Sequence, residues 1–288
     1  MAARISSRRL VQSSLTHVVL ILLSVVFLGP FFWLVSTSLK VLPETVSTHP
    51  IWIPKHLEWH NYKDAFMFDS DRLGYIPFLY YTRNTIILCW LTVVGTVFSN
   101  ALAAYGFARL KWRGREIFFV ITLATMMVPF PVVMVPLYTL FRSMGWIGTL
   151  RPLWVPAFFG SAFNIFLLRQ FFRGIPFELS EAATIDGASE WLIFRTVVVP
   201  LAKPALAVVA LFTFLGTWTD FFGPLIYLVQ QKTFTLSLGL QFYQSQDAGT
   251  HWNLLMAATT IVILPLIVLF FFTQKLLIQG IALTGLKG

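Results

Sequence analysis

The sequence predicts an all-α polytopic membrane protein with six transmembrane helices and both termini on the cytoplasmic side. Three observations carry this. Of the 288 residues 57% are hydrophobic and 11% charged, with a mean hydropathy of +0.75, so too few polar side chains exist to cover a soluble domain. The apolar residues fall into six runs near 16–38, 83–107, 117–139, 152–172, 204–228 and 253–277, each close to the roughly 20 residues that a helix needs to cross about 30 Å of hydrocarbon. Lys and Arg gather beside alternate connections between these runs, which orients them.

Arg4, Arg8 and Arg9 precede the first run, and Ser36-Thr37-Ser38 at its end has the small side chains of a cleavage site. The run is nevertheless longer than the roughly 7–15 residues of a signal peptide's apolar core, so it is read as a retained span. The segment 39–81 mixes charges with Pro43, Pro50, Pro54, Trp52, Trp59 and Tyr62. Since Trp and Tyr favour the headgroup region, short helices lying at the outer interface are expected there. His56 and His60 in this segment read as a surface pair and not as a metal site.

The second run holds Cys89, the single cysteine, which excludes an intrachain disulfide and a cysteine metal cluster. Arg109, Lys111, Arg113 and Arg115 crowd the connection after it and mark the cytoplasmic side. The net charge of +9 is therefore topological and points to no nucleic acid. Pro30, Pro129, Pro131, Pro136, Pro156, Pro224 and Pro265 interrupt the runs. Such breaks persist where neighbouring helices or a water-filled cavity satisfy the freed backbone, so these helices are expected to line something. Arg169, Arg173, Arg195 and Lys203 flank the next inner connection, whereas the two shorter outer ones carry only Arg142, Arg151 and Lys232.

That inner connection, 176–204, is polar and acid-bearing in an otherwise apolar chain. It predicts a helix from Phe177 to Asp186, ended by Gly187, and a second helix capped by Ser189. Leu179, Ala182, Ala183 and Asp186 share one face of the first helix, with Glu178 and Glu181 on another near its positive end. Small side chains beside carboxylates suit insertion into a cleft that offers cations. The alternative is a solvated loop.

Asp220 is the single acid within a predicted span, where it should face the bundle interior, water or a partner helix. Asn100 and Asn164 suit hydrogen bonds across helices. The chain carries neither a phosphate-cradling G-x-x-x-x-G-K-S/T stretch nor H-E-x-x-H, and no nucleophile context. It is read as not an enzyme, without catalytic or metal residues. A self-sufficient secondary transporter or channel using Asp220 is the rival reading, though no internal repeat supports it.

Glu181-Ala182-Ala183, Gly187 and Val199-Pro200 resemble the EAA loop of permease subunits of bacterial ABC importers. The longer run FFRGIPFELSEAATIDGASEWLIFRTVVVPLAKPALA is similar to the carbohydrate-uptake branch and its maltose-type permeases, with Val199 where the family has Leu and Thr219 where it has Asn. The resemblance implies a type I ABC importer permease fold in the bacterial cytoplasmic (inner) membrane, surrounded by lipid. It implies an N-terminal region of residues 1–80, a core 81–279 with a coupling loop 174–203, and a tail 280–288. Glu181, Ala182, Ala183, Asp186, Gly187, Ala188 and Pro200 would then couple to two ABC ATPase subunits that hold ATP and Mg, this chain binding no cofactor. Leu283, Thr284, Gly285, Lys287 and Gly288 would be tail contacts to the ATPases. Phe130, Asn164, Trp218, Asp220 and Phe222 would line the substrate path. A second homologous permease and an extracytoplasmic solute-binding protein would complete the importer, its cargo a sugar or oligosaccharide.

Overall fold

The computed structural model describes residues 7–244 and 249–285, with side chains for 12–244 and 249–274. Two compact units divide the chain: one draws on 1–70 and 240–264, the other on 71–239 and 265–288.

In the first unit, α1 (Ser7–Ser38) runs unbroken through Pro30. Its stretch Gln12–Ser38 is long and apolar enough to cross a membrane, and the most apolar window within it has no buried residue. The outer segment folds as short helices, as expected, among them Leu42–Thr45 and α2 (His60–Phe66). Asn61 fastens them to the end of α1: its side-chain amide donates to the carbonyls of Ser38 at 3.0 Å and Lys40 at 2.9 Å. Asn253 in turn donates to Asn61 Oδ1 at 3.0 Å.

In the second unit, α3 (Pro77–Ala108) is one unbroken helix, long and apolar enough to cross a membrane. The third apolar run is not one straight helix. It is α4 (Arg115–Ala124), a tight turn at Thr125–Met127 and α5 (Phe130–Ser143), and the two arms are bent by 98°. Val128 before Pro129 is extended (φ −83°, ψ 111°), as a residue before proline prefers. The fourth run, Arg151–Arg173, tightens into a 3-10 turn at Val155–Phe159 and resumes as α6 (Ala162–Arg173). Asn100 bridges that break, its Oδ1 accepting from the Ser161 N–H at 2.7 Å.

Next come α7 (Glu178–Ile185), α8 (Glu190–Leu201) and α9 (Lys203–Thr219), with a 78° bend between α8 and α9. The predicted fifth span, 204–228, is corrected: α9 stops at Thr219, Asp220 is extended, and α10 (Phe222–Tyr227) follows as a separate turn. The last helix, α11 (Trp252–Gly285), continues through Pro265 beyond the expected end near 277, and the unit boundary falls inside it. Among the described residues four helices are long and apolar enough to cross a membrane, or up to six when each bent pair counts as one span.

The core of the second unit decides what holds the inner connection. Ala101, Ala104, Tyr105 and Ala108 of α3 meet Leu168 and Phe172 of α6, Phe194 and Val198 of α8, and Ala205 and Val209 of α9. Spaced by three and four residues, the alanines form one helix face, and their small side chains let the neighbours approach closely.

Candidate functional site

The polar inner connection folds as a helix–turn–helix knuckle. Two acids, Glu178 and Glu181, occupy the first turn of α7, where the helix dipole favours them. Gly187 ends the helix at φ +83°, and the Ala188 N–H reaches back to the Ala183 carbonyl at 2.9 Å. Ser189 caps α8, its Oγ accepting from the Leu192 N–H at 3.4 Å. The backbone then widens into a π-helical stretch at Phe194–Val198 just before Pro200, which has no N–H to give the carbonyl four residues back.

One side of the knuckle is bare. Glu181, Ala182, Asp186, Gly187 and Pro200 are exposed, and Ala183 and Ala188 are half-buried. Among the described residues neither the Glu181 nor the Asp186 carboxylate meets a hydrogen-bonding or ionic partner. Ile185 is 86% exposed, and Leu179, Trp191 and Leu192 also stand open.

The other side is tied down. Arg109, which caps the end of α3, is buried, and its fork donates to the carbonyls of Ile175 at 2.7 Å and Pro176 at 3.1 Å and to Ser180 Oγ at 2.6 Å. The guanidinium lies 3.9 Å from the centre of the Phe177 ring. Burial pulls its pKa below the ordinary value, opposed by Tyr105, Glu178 and Glu190, and an arginine so placed stays charged. One turn earlier the Tyr105 hydroxyl donates to the Glu190 carboxylate at the start of α8. Beside these, buried Arg169 holds Glu116 with two bonds of 2.9 and 2.7 Å and stacks over Phe119, joining α4 to α6. Sequence patterning reads Arg109 and Arg169 as topology charges, and it passes over Tyr105, Ile185 and Glu190. The alanine stripe of α3 was the available signal, since Tyr105 lies on it and Arg109 follows four residues later.

Phe130 and Phe222 are both exposed and meet edge to face, their ring centres 6.1 Å apart, at the first residues of α5 and α10 beyond the two helix breaks. Asp220 Oδ1 accepts the Gly223 N–H in the first turn of α10 at 3.0 Å. Trp218 is buried and stacks on Phe214. Asn164 donates to Ser161 Oγ at the start of its own helix, so of the two asparagines only Asn100 reaches across a break. Leu283, Thr284 and Gly285 end α11, so the expected tail is helical to Gly285; their side chains, and Lys287 and Gly288, lie outside the described residues.

With this geometry in hand, comparison with known proteins gives consistent matches. The family described as "Binding-protein-dependent transport system inner membrane component" matches residues 75–283. The arabinooligosaccharides transport system permease protein AraQ of Bacillus subtilis (strain 168) is 34% identical over 269 residues, 93% of each chain. The diacetylchitobiose uptake system permease protein NgcG of Streptomyces coelicolor is 31% identical over 277 residues, 95% of this chain and 88% of that one. The trehalose/maltose transport system permease protein MalG of Thermococcus litoralis is 29% identical over 269 residues, covering 93% and 94%. A chain in the crystal structure of a bacterial ABC transporter involved in the import of the acidic polysaccharide alginate superposes with a TM-score of 0.80 at 23% identity, covering 95% of this chain and 99% of that one, which shows a shared fold.

Proposed function

The chain belongs to the family of binding-protein-dependent transport system inner membrane components, and from that premise we propose that it translocates a sugar or oligosaccharide as one permease of an ATP-driven importer. Relatives named for arabinooligosaccharide, diacetylchitobiose and trehalose/maltose transport support a carbohydrate cargo. A bacterial alginate importer with a related chain has been crystallised with a pentasaccharide-bound periplasmic protein, which supports delivery by an external solute-binding protein. A second, similar permease encloses the path, and two ATPase subunits bind ATP and Mg.

The observation that carries the coupling is the asymmetry of the knuckle. Its bare face offers unpaired Glu181 and Asp186 with Ala182, Ala183, Gly187 and the open side chain of Ile185. Acids, small residues and one apolar anchor fit a cleft with cationic walls. ATP-driven closure of the ATPase pair then carries the knuckle as a rigid body and switches access to the path. Within this reading 81–279 is the translocating core, the end of α11 from Leu283 onward reaches the ATPases, and Phe130 with Phe222 borders the path.

Glu181→Lys tests the coupling. The residue is exposed on the first turn of α7, so insertion and folding should survive, while a cation placed against a cationic cleft should reduce uptake at least about tenfold. Normal uptake by a stably assembled Glu181→Lys transporter would refute the assignment. The rival reading, Asp220 as the ion site of a self-sufficient carrier, is weakened by the local role of its Oδ1, which accepts the Gly223 N–H in the first turn of α10.

A further inference from the structure

The covalent chain joins the knuckle to α6 and α9, and both joints are irregular. Gly174–Phe177 breaks the helix on one side, and the 78° bend before Lys203 does so on the other. The firm attachment is to a helix far away in sequence. Arg109 takes the Ile175 and Pro176 carbonyls and Ser180 of the first arm, and Tyr105 takes Glu190 of the second. The two side chains sit four residues apart on one face of the last turn of α3, flanked by Ala104 and Ala108, which admit Phe172, Phe194 and Val198 at close range. A simple cap at the end of α6 would need one or two carbonyls; these donors also cross to both arms of the knuckle.

We propose that Tyr105 and Arg109 form a latch that makes α3 the helix receiving the knuckle's stroke, acting as positioning residues for transport. This rests on the reading that the knuckle docks on an ATPase. A planar fork suits Arg109, since it meets several fixed acceptors at once where a lysine supplies only a point charge. With the latch closed, α7, α8 and the inner end of α3 move together. With it open, the knuckle swings on its two joints and the stroke is lost.

The test uses the complete transporter in detergent or liposomes, with Cys89→Ser removing the buried native thiol. Nitroxides on Lys111→Cys, just past α3, and on Thr184→Cys of α7 occupy exposed positions. In the parent protein their distance should stay single and narrow, the same without nucleotide and after trapping with ATP and vanadate. In Arg109→Lys or Tyr105→Phe, trapping should move or split it by more than about 2 Å, the scale of helix shifts at interfaces. Solute uptake per ATP hydrolysed should fall about tenfold, the factor available from one hydrogen bond to a charged group.

A photo-crosslinker on Ala182→Cys reports docking separately. No crosslink to the ATPase in the parent would remove the reading on which the latch rests. A crosslink that persists while the latch variants keep the parent's distance and coupling overturns the latch itself. Lower thermal stability with an unchanged distance also overturns it, because that is what a folding role alone would give. Should Arg109→Lys fail to assemble, Tyr105→Phe, which removes only a hydroxyl, decides the matter.

Discussion

Ile185→Ala is the sharpest test of where the partner binds. The side chain is 86% exposed on α7, so within this subunit truncation removes almost no packing and folding stability should shift by less than about 0.5 kcal/mol. If an ATPase cleft covers the residue, three carbons leave an apolar contact at about 0.8 kcal/mol each, roughly 2.4 kcal/mol in all. That corresponds to about 50-fold weaker association. Val198→Ala supplies the mirror image. Val198 is fully buried among α3, α6 and α9, so it should lower the subunit's own stability by about 1–2 kcal/mol and leave docking affinity unchanged once folded. Thermal unfolding of the isolated subunit and titration of the purified ATPase onto it, run on both variants, separate the effects. Ile185→Ala destabilising the subunit while binding the ATPase like the parent would refute the placement of the interface.

Gly187→Ala should cost about 1 kcal/mol of thermal stability through backbone strain alone, because φ is +83° and an added Cβ meets nothing within 4 Å. A neutral result by calorimetry would mean that the turn relaxes. Asp220→Asn keeps an Oδ1 to accept the Gly223 N–H now held at 3.0 Å, so ATP-driven uptake should stay within about twofold of the parent. Loss of uptake in an assembled variant would restore the ion-coupled rival.

Run lengths and local signals made most of the helices and the knuckle readable, including the stop at Gly187 and the cap at Ser189. Local chemistry settles those features. The bends were not readable, since proline does not act alone. Pro30 and Pro265 lie inside continuous helices, whereas Pro129 and Pro131 fall together at the 98° corner. At the end of α9 the competing acceptor is Asp220, whose carboxylate offers the next N–H groups a non-helical partner and stops the helix before Pro224 is reached. Four basic residues crowd the turn after α3, and orientation rules treat them alike. Only the tertiary fold separates buried Arg109 from exposed Lys111 and Arg113.

The knuckle also has to be understood through what it costs the isolated chain. Asp186 stands at the carbonyl end of α7, where the helix dipole disfavours a carboxylate, and Ile185 beside it leaves apolar surface in the open. Neither helps the subunit fold. Yet the opposite side of the same short helices is fixed by a buried arginine and a buried tyrosine, which is a large investment of order in a solvent-facing loop. A merely solvated loop would show the reverse, with apolar groups turned inward and few tertiary bonds. Rigidity behind and unsatisfied chemistry in front are what a surface needs if it must transmit force from a partner without yielding to it.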